Sequence, residues 1–527
     1  MAQSEISLVE THVGSVKEVV DNARQGFRSR RTFPLEYRLE QLTNLRRLVN
    51  ENLVKLLNAL WTDLHKPHQE TMMTEVNQIT TDIDHTLSNL RTWMAPEHVE
   101  KDLLNRFNSA YLMPEPYGVV LIISPWNYPL MLSLMPLTGA IAAGNACVLK
   151  LPEIAVATSN LLAELIPSYL DKECYSVVTG GLEVAKEVCA QRFDYIFFTG
   201  STAVGKLVMR SAAEFLTPLT LELGGKSPCI VADDADLEVA ARRIMWGKCL
   251  NSGQSCVAPD YVLCSADIQE RLAENLKNAI IEFFGKNPKE SQDYGRIINK
   301  RAFDRICAHM DSMRNNVYYG GDCDAQERYI SPTILTNVTG DDSIMSEEVF
   351  GPLLPVILVE NVQKAIEFIN SREKALALYL FTSSQDMVQA VTQQVSCGGI
   401  THNDTMLHCS VTSLPFGGVG ASGFGAYHGK FSFHTFTHCK PVLSTSTRAT
   451  LEGLNNIRYP PYSEDKLTDA QRLQTEGGVS RVLHLANLLT RSVFGRPRYR
   501  QPLRQSEGDS RSTADTVQKK QESNEKN

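Results

Sequence analysis

The stretch Gly118-Val-Val-Leu-Ile-Ile-Ser124-Pro-Trp-Asn127-Tyr-Pro129 limits the fold more than any other part of the chain. Its apolar residues run without alternation, and a strand of that kind must be covered on both faces. Such strands belong to parallel sheets flanked by helices. The prolines then mark a loop at the strand's carboxyl end, where open α/β sheets bind their ligands. Short apolar strands alternate with helical stretches through 118–223 and again through 227–413, so the expected fold class is α/β with two parallel sheets. Ahead of them, apolar residues recur at helical spacing over 16–27 and 37–64 and predict packing helices. The segment 130–149 is apolar enough to suggest a membrane span. Pro136, Gly139, Gly144 and Asn145 interrupt it, and it reads instead as a buried helix, with Ala146-Cys-Val-Leu-Lys150 a short strand that runs into a Pro-marked helix start.

Composition narrows the class of partner. The 527 residues are 43% hydrophobic and 21% charged with a net charge of −8, which fits a globular chain of about two to four domains. An acidic balance argues against nucleic acid, whose binders present a basic face. The 12 cysteines form no CxxC pair and no regular spacing, which suits a reducing, cytosolic or cytosol-facing location. The N-terminus lacks the basic and apolar regions of a secretory signal. Met1-Ala2 excludes an N-myristoyl glycine. The sequons at Asn337 and Asn403 would go unused in the cytosol.

Several segments could carry chemistry. In Asn251-Ser-Gly-Gln-Ser-Cys256-Val-Ala-Pro-Asp260, Gly253 and two serines leave room beside a thiol, and we read Cys256 as a nucleophile. The other eleven cysteines lack that frame and read as small buried hydrophobes. Asn127 is either a turn former beside proline or an amide donor aimed at a reacting oxygen. Glu222 and Glu348 stand beside glycines and apolar neighbours, where partial burial would raise a carboxyl toward the working pH of a general base; a capping or pairing role is the alternative. Lys150 and Glu153 would ordinarily be solvated surface charges. The stretch from Gly200 to Leu207 follows a strand and reproduces a phosphate-binding G-x-x-x-x-G-K, but Leu207 replaces the hydroxyl that would hold Mg²⁺. A G-x-G-x-x-G at Gly418, Gly420 and Gly423 follows no buried strand and reads as a structural loop. The histidines and cysteines at 402, 408, 409, 434, 438 and 439 show no zinc spacing, and no metal is expected.

The Cys256 segment, Leu221-Glu222-Leu-Gly-Gly-Lys-Ser227 and Glu347-Glu348-Val-Phe-Gly-Pro352 together resemble the aldehyde dehydrogenase superfamily, most closely its class 3 branch for fatty and aromatic aldehydes. The resemblance runs over about 6–443. It implies a Rossmann-like cofactor domain (1–102 and 117–221), an α/β catalytic domain (222–413), and a small β bridging arm used in dimerisation (103–116 and 414–445), with a tail over 446–527. It implies NAD as cofactor, with NADP tolerated by some members. The cofactor would meet Ser124, Trp126, Lys150 and Glu153 (the last two at the adenosine ribose), Leu223, and the helix start formed by Gly200, Ser201, Thr202, Ala203, Val204 and Gly205 at the pyrophosphate. Glu348 would hold the nicotinamide ribose with Phe350 against the ring. Asn127 and the Cys256 N–H would form an oxyanion hole, and Glu222 would activate the deacylating water, with Glu348 a competing base. The implied substrates are medium- to long-chain or aromatic aldehydes, bound beside Tyr128, Leu130, Met131 and Leu134, and the implied assembly is a homodimer. A non-catalytic nucleotide-binding interaction protein is the alternative from another class.

In the tail, 451–478 is polar with turn signals and 479–494 carries an apolar helical stripe beside Arg481, Arg491, Arg496, Arg498, Arg500 and Arg504. That composition suits either an interfacial helix making peripheral membrane contact or a helix docked on the enzyme itself. The end, 505–527, reads as disordered.

Overall fold

The computed structural model describes residues 6–102, 105–475 and 477–494. Met1, Ala2, the start of the bridging arm at 103, the arginines at 496, 498, 500 and 504, and the stretch 505–527 lie outside the described residues.

The chain divides into two compact units, one of Met1–Ala95 with Pro114–Cys439 and one of Pro96–Met113 with Lys440–Asn527. The larger unit holds two sheets. In the first, the strands run Gly423–Phe424, Leu219–Leu223, Tyr195–Gly200, Val119–Ile123, Ala146–Lys150, Tyr175–Val178, parallel except for the short first strand. Val119, Val120, Leu121 and Ile122 are fully buried, as an unalternating run at the centre of a doubly covered sheet must be. Register brings the carboxyl ends into line: Ile123 pairs with Lys150, and Thr199 and Gly200 pair with Glu222 and Leu223. The loops after these strands therefore open on one edge.

The second sheet orders Val317–Tyr319, Thr333–Val338, Leu353–Leu358, Tyr261–Cys264, Pro228–Val231, Ala377–Phe381, Gly399–His402, with only the first strand antiparallel. Leu219–Leu223 of the first sheet reaches Pro228–Val231 of the second through Gly224-Gly-Lys-Ser227. The Asp260 N–H donates to the Ser227 carbonyl at 2.8 Å, which ties the entry of Tyr261–Cys264 to that crossing. The Cys256 loop precedes that entry and meets the loop after Val119–Ile123, where the Asn127 amide donates to the Gln254 carbonyl.

The 130–149 run holds the helix Met131–Ala143 and ends in the strand Ala146–Lys150, the short strand expected there. Gly144 at φ 89° ends the helix in the left-handed turn that glycine permits. The expected helix over 37–64 breaks at Asn52 into Leu35–Glu51 and Leu53–Leu64. Among the described residues no helix is long and apolar enough to cross a membrane.

The smaller unit holds most of a three-stranded sheet, Glu97–His98, Ser109–Pro116, Thr437–Ser444, and the helices Ala449–Asn455, Glu464–Thr475 and Gly478–Phe494. Two of those helices fall where turn signals suggested irregular chain. Leu485 and Leu488 of the last helix are buried with Leu473, while Val479, Val482, Leu483 and Phe494 stand more than half exposed. The stripe thus presents apolar residues both to its own unit and to solvent.

Candidate active site

Cys256 follows a turn that no ordinary strand or helix would supply. Asn251, Ser252 and Gly253 have φ of 51°, 54° and 75°, three successive left-handed residues, a conformation costly for side chains other than glycine. Neighbours hold it. The Gln254 side chain donates to the carbonyls of Asn251 and Arg296 at 2.9 and 3.0 Å and accepts the Ile298 N–H at 3.0 Å. A Cβ on Gly253 would come within 2.2 Å of the Gly351 carbonyl, so only glycine lets these two backbones approach.

The thiol opens into a cavity of about 390 Å³ lined by Tyr128, Met131, Leu132, Trp246, Met406, Phe416 and other mostly apolar side chains. Glu222 lines the same cavity, is 3% exposed, and neither of its carboxylate oxygens has a hydrogen-bond partner. Burial alone pushes its pKa well above the ordinary carboxyl value. Burial, and then the facing carboxyls of Glu348 and Glu222, push the Cys256 thiol up; the backbone N–H groups of Cys256 and Val257 favour the thiolate. Leu130 and Leu134, expected beside the substrate, are fully buried in the core and do not line the cavity, because their helical phase turns them away from it.

Asn127 is 3% exposed, and its amide donates to the Gln254 carbonyl at 3.2 Å, across to the thiol's loop. The Asn127 carbonyl accepts the Asn251 side chain at 2.8 Å. Its amide retains a second N–H, so the residue can serve as a donor while also closing the turn.

On the first sheet's carboxyl edge, the Ser124 hydroxyl donates to the Lys150 carbonyl at 3.3 Å. Lys150, 3% exposed, donates to the Leu151 carbonyl at 2.8 Å and to Glu153 at 3.2 Å, and Glu153 is half in solvent. Next to them, Ser201 caps the helix Thr202–Ala213 by accepting the Val204 N–H at 3.4 Å. Gly205 lets that helix lie against Leu223, whose side chain would be 2.7 Å from an added Cβ. Lys206 and Leu207 are exposed on the helix. The Glu348 carboxyl lies over Gly224, where an added Cβ would meet it at 2.2 Å. Burial and then the charge of Asp260 raise Glu348 to about 8, against the Gly225 N–H and the ammonium groups of Lys226 and Lys248. Phe350 meets Trp126 edge to face at 5.4 Å. This donor set fits a dinucleotide: an ammonium and acid for ribose hydroxyls, a helix N-terminus for a pyrophosphate, and a carboxyl over Gly224 with an aromatic pair for the second ribose and its base.

Other residues of the site escaped sequence reasoning. Thr199, Tyr427, His428 and Cys409 line the cavity, and Lys66, Glu70 and Glu75 lie behind Asn127. The three charges occur in Lys66-Pro-His-Gln-Glu70-Thr-Met-Met-Thr-Glu75, a charged stretch that reads as surface until its burial is seen. The glycine-rich run from Gly418 forms the edge strand Gly423–Phe424, pairing Gly423 with Glu222. Among the described residues no three His, Cys, Asp or Glu side chains gather as a metal set.

Two parallel sheets with a dinucleotide donor set on one edge and a thiol and buried carboxyl facing it define an α/β oxidoreductase built around a cysteine. Comparison with known proteins identifies the kind. The aldehyde dehydrogenase family matches residues 6–442. "Aldehyde dehydrogenase family 3 member A2" of Rattus norvegicus is 50% identical over 449 residues, 85% of this chain and 92% of the relative. "Aldehyde dehydrogenase, dimeric NADP-preferring" of Canis lupus familiaris is 48% identical over 85% of this chain and 98% of its own. The solved structure of Staphylococcus aureus AldH in a substrate-bound state superposes with a TM-score of 0.84 at 40% identity, over 86% of this chain and 99% of that one. The chain belongs to the aldehyde dehydrogenase family, NAD(P)-dependent enzymes that oxidise aldehydes. The reading as a non-catalytic nucleotide-binding protein finds no support beside this match.

Proposed function

We propose that the chain oxidises medium- to long-chain aliphatic or aromatic aldehydes to carboxylic acids through a thioester on Cys256. The observation that carries this is the thiol and the unpartnered Glu222 carboxyl lining one apolar cavity. Cys256, as thiolate, adds to the aldehyde carbon; a C–S bond forms and the carbonyl π pair moves to oxygen. That oxygen receives the free N–H of the Asn127 amide and the Cys256 N–H, a type of donor worth about 10²–10³ in rate. NAD(P), when bound, supplies the hydride acceptor that turns the adduct into a thioester. Glu222 then takes a proton from water as its oxygen adds to the thioester carbon, the C–S bond breaks, and acid and thiolate leave. The cavity's apolar walls favour longer chains, at about 0.8 kcal/mol for each CH₂ buried.

Residues 1–102 and 117–221 form the cofactor domain in this reading, and 222–413 the catalytic domain, with the 103–116 and 414–445 segments as the arm that joins two copies. Ser124, Trp126, Lys150, Glu153, the helix start from Gly200 to Gly205, Leu223, Glu348 and Phe350 hold the cofactor. Glu153 would repel a 2′-phosphate and so favours NAD. The homodimer is supported by the largely exposed strand Thr437–Ser444 at the end of its sheet, a position at which strands of two copies can pair, and by the word "dimeric" in the canine relative's name.

The decisive experiment follows NADH formation in three variants. Cys256→Ala is expected to abolish turnover and keep NAD binding. Glu222→Gln should give a first-turnover burst and then almost no steady state, because thioester formation precedes hydrolysis. Glu348→Gln should show slow formation without a burst. A reversed pattern between the two glutamates gives the base role to Glu348.

The helix Gly478–Phe494 is proposed to touch a cytosol-facing membrane through Val479, Val482, Leu483 and Phe494, whose exposure ranges from 52 to 86%. The arginines of the tail would add up to about 1 kcal/mol each at an anionic surface. The full chain should therefore sediment with anionic vesicles at low salt, less so at high salt or with neutral lipid, while a chain ending at Thr445 stays behind. Equal sedimentation of the two would leave the helix serving only its own unit.

A further inference from the structure

Lys66 and Glu75 form an ion pair at 2.5 Å with both side chains wholly buried. Desolvating two charges is expensive, and apolar replacements of such pairs are often neutral or stabilising. A pair of this kind therefore calls for a use beyond holding the fold. Its contacts indicate one. The Lys66 ammonium donates to the main-chain carbonyl of Asn127 at 3.2 Å and lies 4.1 Å from the centre of the Tyr128 ring. The second carboxylate oxygen of Glu75 accepts the N–H groups of Leu130 and Met131 at 2.9 and 3.1 Å. One ion pair thus grips the 127–131 segment at its start and its end.

The grip extends to the thiol's loop. The carbonyl that accepts from Lys66 also accepts from the Asn251 side chain at 2.8 Å, and the Asn251 N–H donates to Glu70 at 2.7 Å. Charges from one short stretch, residues 66–75, therefore fix both the peptide that carries the Asn127 amide and the turn that carries Cys256. With that carbonyl held from two sides, the direction of the Asn127 side chain is set, and its amide points across to Gln254, two residues before the nucleophile. None of the three charged residues lines the cavity. Their effect has to travel through Asn127 and Asn251.

We propose that Lys66, held by Glu75, is a positioning residue that aims the Asn127 amide at the oxyanion formed on Cys256. The proposal rests on the reading of Asn127 as an oxyanion donor. A misplacement of about 1 Å at such a donor costs on the order of 10²-fold in rate, so Lys66 and Glu75 should act on kcat rather than on binding.

The test uses the full chain with octanal and NAD. Lys66→Met with Glu75→Gln removes both charges together, so neither is left unpaired. The double variant is expected to lose ~10- to 100-fold in kcat, with both KM values within about twofold of the parent. Placed on top of Asn127→Ala, the same two changes should cost less than about threefold, because the group they aim is gone. Equal losses in the two backgrounds, or an unchanged kcat in the double variant, would overturn the positioning role. An Asn127→Ala enzyme with undiminished kcat would instead overturn the oxyanion reading beneath it. Should the double variant fail to fold, Lys66→Arg keeps the charge but displaces the donors. It is expected to lower kcat in the parent and not in the Asn127→Ala background, and equal losses there count against the proposal.

Discussion

At the scale of single residues, burial sets the reactivity of the site. Glu348, with a pKa near 8, is largely neutral below that pH and a carboxylate above it, and the negative charge opposes ionisation of Cys256. Removing it should ease the loss of the thiol proton. In Glu348→Gln the pH midpoint of Cys256 alkylation by iodoacetamide is therefore expected to move to lower pH, and a midpoint that stays or rises would mean that the two groups do not interact. The burial of Glu222 and Glu348 and the open space beside Cys256 were legible in the sequence, because glycines and small polar residues beside a thiol or an acid mark places that must admit something. Lys66, Glu70 and Glu75 were not legible. A charge buried by segments distant in the chain has the same local spacing as one in water, and only the Asn127 carbonyl and the Leu130 and Met131 N–H groups reveal its use.

At the scale of elements, sequence pattern served strands better than helices. The unalternating run after Gly118 could only be a covered parallel strand, and Val119–Ile123 is one. The apolar segment 130–149 resolves into the expected buried helix and the expected short strand ending at Lys150, with Gly144 marking the turn between them. The helix Thr202–Ala213 carries the prediction at this scale. Its Ser201 cap is a long hydrogen bond of 3.4 Å, so Ser201→Ala should lower stability by only about 0.5 kcal/mol. The same change is expected to raise the Kd for NAD, read by quenching of tryptophan fluorescence, because in the proposed cofactor site the first turn would present its N–H groups to the pyrophosphate. A variant that loses stability with unaltered NAD binding would remove this helix start from the cofactor site.

For the molecule as a whole, buried titratable groups set the acid limit of stability. Desolvation holds His408 at about 4, below its ordinary value of 6.5. The unfolded chain therefore takes up this proton first as pH falls, and the stabilisation present above about 6.5 is lost progressively toward 4. Thermal melts should show a smaller loss between those two values in His408→Gln than in the parent; an identical loss would mean that His408 titrates alike in both states. The overall α/β plan was legible because alternating helices and covered strands leave few other arrangements, and the stripe over 479–494 announced Gly478–Phe494, whereas Ala449–Asn455 and Glu464–Thr475 lie in a polar stretch whose turn signals masked them. The left-handed turn before Cys256 also bears on how the protein is made. Glu70, Asn127, Arg296 and Gly351 all meet it, and they span most of the catalytic chain. A nascent polypeptide that has emerged only as far as Cys256 lacks two of these four neighbours, so the turn before Cys256 can be completed only after synthesis has passed Gly351.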